Sequence, residues 1–153
     1  MNLNIARWFE RPVNKLAQFK TLALINKLDQ ERILNLFSRG YNTSYPEFSK
    51  EDFISILRKA KAVQPERIPP DLVTMRTKFR LKDLGTGDRV EYTLVYPEEV
   101  DSENKISILQ SQGTYVFGSK KGEIIRWENP KGIKYFQIEE ILYQPEAFGD
   151  FEL

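Results

Sequence analysis

The chain has 153 residues, of which 41% are hydrophobic and 29% charged, and its net charge is +1. This composition fits one ordinary domain with appendages and excludes both a disordered chain and one that coats nucleic acid by charge alone. The sequence holds no cysteine and no histidine, which excludes disulfides, thiol nucleophiles, thiolate metal sites, Ser–His pairs and an ordinary zinc enzyme.

Any chemistry would rest on carboxylates, lysines, tyrosines or a borrowed metal. No apolar run approaches the ~20 residues needed to span a bilayer. The first apolar residues are scattered among Arg7, Glu10 and Arg11, so no secretory leader is evident and the expected compartment is the cytoplasm.

Residues 1–26 read as a basic, amphipathic extension. Arg7, Arg11, Lys15 and Lys20 face a single acid, Glu10. Ile5, Trp8, Phe9, Val13, Leu16, Phe19 and Leu22 recur at steps of three or four, which puts them on one helical face. Pro12 suggests a break there. The plain reading is a helical piece packed on the rest of the chain, and the sharper one is a contact for a membrane or an acidic partner.

Residues 27–66 read as a short antiparallel helical hairpin. Asp29 and Glu31 favour a helix start, and Gly40 ends that helix. The segment Ser38–Ser49 is rich in turn formers. Ser49 with Asp52 makes a capping-box start for the second arm, where Phe53, Ile56, Leu57 and Ala60 keep helical spacing. Each arm has about a dozen residues and extends roughly 20 Å. The three prolines in 64–72 mark a semi-rigid linker and the best candidate boundary.

Residues 73–153 read as mainly strand. Val73, Met75, Phe79 and Leu81 fall at even steps, interrupted by Thr77. Gly85–Asp88 is a turn. Val90, Tyr92, Leu94 and Tyr96 alternate with Glu91, Thr93 and Val95. The stretch Ile106–Glu128 reads as strand, one helical turn, tight turn, strand, with Ser111 at the helix start, Gly118 as its stop and Gly122 in the turn. Asn129–Gly132 closes a hairpin, and Tyr135–Tyr143 forms the last strand. The expected class is α+β: five short strands in an antiparallel sheet curled around one small helix. From Glu139 onward there are five acids and no bases. Such a run is commonly solvated surface, and an intramolecular or partner contact is the sharper option.

The segments Val73–Met75, Tyr92–Asp101 and Ser111–Gly122, with the tail from Tyr143, carry a resemblance. They resemble the C-terminal domain shared by the Gre transcript-cleavage factors and the regulators of nucleoside diphosphate kinase. The short hairpin and the tail are closer to the regulators. Gln112 stands where Gre factors usually have proline, and Glu123 replaces the usual aspartate after Gly122.

The resemblance implies an FKBP-like fold for 73–153. It further implies that this domain docks on RNA polymerase near the secondary channel while the hairpin points into the channel. The implied docking residues are Asp101, Gln110, Ser111, Gln112 and Gly113, and the hairpin tip holds Arg39, Tyr41, Tyr45 and Glu47. Gre-type cleavage needs two acids at the tip to hold magnesium. Glu47 is the single carboxylate between Ser38 and Ser49. Glu51 and Asp52 are explained as favourable charges at a helix start.

The expectation is therefore a monomeric, non-enzymatic transcription regulator that competes with Gre factors. It would have no cofactor, no resident metal and no sequence-specific DNA contact. Any effect on nucleoside diphosphate kinase would be indirect. Two alternatives stand beside it. One is an active cleavage factor with a second acid folded back beside Glu47. The other is a peptide-binding or prolyl isomerase module, which would need a pocket beside Trp127, Tyr92 and Phe136; sheet aromatics are more often core.

Overall fold

The computed structural model describes residues 21–43, 49–129 and 131–151. Two short strands, β1 (Leu24–Asn26) and β2 (Lys61–Val63), pair in parallel and bracket two helices, α1 (Lys27–Ser38) and α2 (Lys50–Lys59). The expectation of a helical extension through residue 26 fails at its end. Leu24–Asn26 is extended because its backbone pairs with Lys61–Val63, and Ile25 is buried in the core.

Local chemistry sets both helices. The Asn26 side chain caps α1 by accepting from Leu28 N–H at 2.9 Å. At the other end Tyr41 N–H donates to the Leu36 carbonyl and Gly40 N–H to that of Phe37, while Gly40 takes φ +97°. That is the glycine-terminated stop expected there. The capping box of α2 is present: Ser49 Oγ accepts from Asp52 N–H, and the Asp52 carboxylate accepts from Ser49 N–H. The helices meet where the Phe37 and Phe53 rings cross edge to face at 6.0 Å. Gln30 also donates to the Leu57 carbonyl at 2.9 Å.

The main sheet has five strands in the order β5-β4-β3-β7-β6. These are β3 (Lys78–Asp83), β4 (Arg89–Val95), β5 (Lys105–Ser107), β6 (Ile124–Asn129) and β7 (Gly132–Tyr143). A helix of six residues, α3 (Ser111–Val116), links β5 to β6 and packs on β6. The chain is thus α+β with a curled sheet and few helices.

One feature of the predicted sheet is corrected. It is not wholly antiparallel, because β5 runs parallel to β4, with Thr93, Leu94 and Val95 opposite Lys105, Ile106 and Ser107. Residues 96–104 cross over between them through a 3-10 turn at Pro97–Glu99, and such a crossover is what parallel neighbours need. The β3 strand also starts late, at Lys78. Leu72 forms an isolated bridge with Lys120 and Met75–Arg76 a turn instead, although Val73, Met75 and Thr77 are all buried.

One apolar cluster runs through the molecule. Ile33, Leu36 and Phe37 of α1 and Phe53 and Leu57 of α2 belong to it together with Phe79, Leu81, Leu94, Ile108, Val116, Trp127 and Ile138. The proline-rich segment is tied down rather than free: the Gln144 amide donates to the carbonyls of Pro69 and Leu72, both at 2.7 Å. Contacts therefore cross the expected boundary on both sides.

Candidate functional site

The loop between β5 and α3 is held by its own polar groups. Ser107 N–H donates to Gln110 Oε1 at 2.9 Å, and Gln110 N–H returns a bond to the Ser107 carbonyl at 3.0 Å. Leu109 N–H donates to Ser107 Oγ, and Thr114 Oγ1 donates to the Ile108 carbonyl at 2.8 Å. Ser107 and Thr114 are buried, so these bonds are shielded from water and fix the loop.

The predicted docking residues separate into two kinds on this frame. Gln110 is exposed, and Ser111 and Gln112 are half-buried. Gly113 is buried, and a Cβ there would lie 2.0 Å from the Ser107 carbonyl oxygen. Gly113 is thus a close-packing residue with no side chain to offer a partner. The helix cap differs from expectation as well: Gln110, not Ser111, occupies the N-cap position, and it makes no side-chain cap. Asp101 sits apart from the loop on the crossover, exposed, with its carboxylate 3.2 Å from Lys105 Nζ.

Beside this loop opens a cleft of about 390 Å³. Tyr92, Val100, Ile106 and Trp127 give it apolar walls, and Gln110, Gln112 and Lys105 stand among its polar lining. The Trp127 ring lies 5.4 Å from Tyr92 and 4.8 Å from Phe136. Phe136 lies beneath Trp127 in the core and does not line the cleft. The Trp127 Nε1–H is buried with no hydrogen-bond partner, and such a donor usually finds one. Val100 is one of the few exposed large apolar residues.

The predicted tip residues divide as well. Tyr45 and Glu47 lie outside the described residues. Arg39 and Tyr41 turn back onto the sheet side of the molecule, where Tyr41 donates to Glu98 at 3.1 Å and Arg39 lies 3.6 Å from the same carboxylate. At the other end of α1, the Asp29 carboxylate accepts from Met75 N–H at 3.2 Å. Both ends of α1 therefore touch the sheet side.

Three features escape a reading of the sequence. Asp29 and Glu146 are both buried; Glu146 accepts from Asn26 Nδ2 and Thr74 Oγ1. Burial first, and the charge of Glu146 second, push the Asp29 carboxyl up to about 7. Glu146 thus turns part of the acidic tail into an internal contact, as does Glu139, which accepts from both Arg80 and Arg89. Arg76 is the third feature: it holds φ +64°, the single positive-φ residue other than glycine among the described residues. No sequence pattern marks it; the turn residue expected there is glycine or asparagine.

Among the described residues no group of three acids could hold a metal ion, and no helix is long and apolar enough to cross a membrane.

Comparison with known proteins places this geometry. Residues 68–143, which contain the loop and the cleft, match the family model of the transcription elongation factor GreA/GreB C-terminal domain. The chain is 35% identical over 132 residues to the regulator of nucleoside diphosphate kinase of Escherichia coli (strain K12), covering 85% of this chain and 96% of that protein. It is 40% identical over 84 residues to transcription elongation factor GreA of Chloroherpeton thalassium, about half of each chain (54% and 53%). A solved GreA/GreB elongation factor from Nitrosomonas europaea superposes with a TM-score of 0.68 at 35% identity, covering 81% of this chain and all of that one. The chain belongs to the GreA/GreB family of transcription elongation factors, on the side of the family that holds the regulators of nucleoside diphosphate kinase.

Proposed function

We propose that this protein is a non-enzymatic transcription regulator that binds RNA polymerase at the secondary channel and competes there with Gre cleavage factors. The observation that carries the reading is the self-bonded Ser107–Thr114 loop standing beside the Trp127 cleft. A rigid loop next to an apolar cleft with an unpartnered indole N–H is the form of a docking surface. It falls inside the region shared with the elongation factors. Gln110, Ser111 and Gln112 are its contact residues, Asp101 flanks it, and Gly113 fixes its shape.

The finer architecture follows from the same reading. Residues 73–153 form the FKBP-like docking domain, 27–66 a short antiparallel hairpin, and 1–26 an appendage outside the contact. The hairpin assignment draws on the order of its contacts, with Gln30 at Leu57 and Phe37 at Phe53. Helices of 12 and 10 residues extend only ~18 and ~15 Å. With both ends of α1 on the sheet side, such a hairpin does not carry a tip far from the docking domain. Its sequence offers one acid there, Glu47, and a lone carboxylate is a poor hold on magnesium.

A Ser111→Arg, Gln112→Arg variant tests the docking surface in a pull-down against core polymerase. The parent should be retained and the folded variant lost. Equal retention of both would place the contact elsewhere.

The cleft itself favours one second reading, a peptide-binding or prolyl isomerase module. Catalysed isomerisation of a proline peptide, abolished by Trp127→Ala, would replace the first reading with this one.

A further inference from the structure

We propose that residues 143–150 form a releasable strap that holds the α1–α2 pair in place against the sheet, with the Glu146 carboxylate as its fastening group. This role is independent of what the protein binds. The covalent route from the helix pair to the sheet runs through β2, a 3-10 turn at Pro65–Arg67 and residues 68–77. The tail follows that route. Its own 3-10 turn, Glu146–Phe148, packs against Pro65–Arg67. The Gln144 amide holds the carbonyls of Pro69 and Leu72, and Glu146 Oε1 accepts from Thr74 Oγ1 at 2.7 Å. The second Glu146 oxygen leaves this route and accepts from Asn26 Nδ2 at 2.9 Å. Asn26 ends β1 and caps α1. One carboxylate therefore ties the base of α1 to the residues that lead into β3.

Burial separates this fastening from a surface contact. Asn26, Thr74, Gln144 and Glu146 are all buried. An apolar side chain of similar size would fill the space at Glu146 without the cost of desolvating a carboxylate. Polar groups kept in such a place, with their partners satisfied, fix one arrangement of the elements they join. The Asn26 amide shows it. With Nδ2 held by Glu146, its Oδ1 is turned to Leu28 N–H, which it caps at 2.9 Å. The tail thereby orients the first turn of α1. A reading in which the tail merely covers the end of the sheet accounts for the Gln144 bonds. It does not account for a buried carboxylate shared between Asn26 and Thr74.

The strap is also built to open. Of residues 143–150, Gln144, Pro145 and Glu146 are buried, while Ala147, Phe148, Gly149 and Asp150 are exposed. This exposed end closes on its own start. Gly149 turns the chain at φ +76°, Asp150 N–H donates to the Pro145 carbonyl at 2.8 Å, and the Tyr143 hydroxyl bonds the Asp150 carboxylate. Phe148 stacks on Tyr143, ring centres 4.9 Å apart, and stays 65% exposed. A segment with so little buried apolar surface opens at low cost. Closure moreover sets the Glu146 carboxylate against Asp29 of α1, and that opposition favours release. At the far end of α1 the bonds from Tyr41 and Arg39 to Glu98 are exposed, and such pairs hold weakly.

The test is the distance between α2 and the sheet, read by double electron–electron resonance on the full chain. The chain has no cysteine, so nitroxides attached through Glu51→Cys on α2 and Asp88→Cys in the β3–β4 turn, both exposed positions, report that distance alone. The labelled parent should give one narrow distance. Glu146→Ala should raise the population at other distances by roughly tenfold or more, through loss of two buried hydrogen bonds. Glu146→Leu keeps the volume and should do the same. Glu146→Gln retains an acceptor for Asn26 and should stay narrow. Ile138→Val loosens the sheet core away from the strap and should also stay narrow. Distributions in Glu146→Ala and Glu146→Leu as narrow as the parent's would overturn the proposal. Equal broadening in Ile138→Val would overturn it too, because any loss of stability would then free the pair.

Discussion

The Asp29 carboxyl sits where the fold gives a charge little support. It is 4% exposed, faces the Glu146 carboxylate, and has one backbone donor, Met75 N–H; Arg32 and Arg76 offset part of the burial, and Tyr96 lies nearby. Its carboxyl is raised to about 7 in the folded state, against roughly 3.9 when unfolded. The folded state therefore holds a proton that the unfolded state has lost between those two values. The sign follows: the Asp29 contribution is most favourable below about pH 4, declines as pH rises, and levels off above about pH 7. The full difference is at most ~4 kcal/mol. Urea unfolding midpoints measured from pH 5 to 8 should fall with pH in the parent. They should stay level in Asp29→Asn, which keeps the acceptor for Met75. A level profile in the parent would show that Asp29 stays ionised in the fold.

At the scale of elements, the close approach of α3 to β5 is the tightest feature of the loop that joins them. Gly113→Ala places a methyl 2.0 Å from the Ser107 carbonyl oxygen, and backbone cannot move aside as a flexible side chain can. The substitution should cost ~3 kcal/mol or more and broaden the loop resonances. An unchanged unfolding midpoint would contradict the packing described for this loop.

The same elements show where sequence reasoning succeeds. The Ser49–Asp52 box, the Gly40 stop and the strand–helix–turn–strand order of Ile106–Glu128 were all legible, because each is fixed by residues within a few positions of one another. The β1–β2 pair was not. Three-residue strands are too short for periodicity, and their partners lie 37 residues apart. The parallel seating of β5 was hidden for a related reason, since strand direction depends on how residues 96–104 cross the sheet. At the site, the polar face of Gln110, Ser111 and Gln112 could be read, but the structural role of Gly113 and the company kept by Asp29, Arg76 and Glu146 could not. The contacts of Asp29 and Glu146 join positions 46 to 120 residues apart.

For the whole molecule, the decisive features are a C-terminal domain shared with the elongation factors and a pair of short helices laid against it. On the proposed function, a shared domain takes a shared seat on the polymerase, and occupancy by this protein would exclude a Gre factor by mass action. On the same proposal, a tip segment whose sequence offers only Glu47 would not replace the cleavage activity it displaces. The most direct measurement is RNA cleavage by backtracked elongation complexes, with this protein alone, a Gre factor alone, and both together. This protein alone should give no stimulation, and inhibition of Gre-driven cleavage should grow with its molar excess. Cleavage stimulated by this protein alone and lost in Glu47→Ala would contradict the inactive tip. Undiminished Gre-driven cleavage at large excess, with polymerase binding verified separately, would contradict the shared seat.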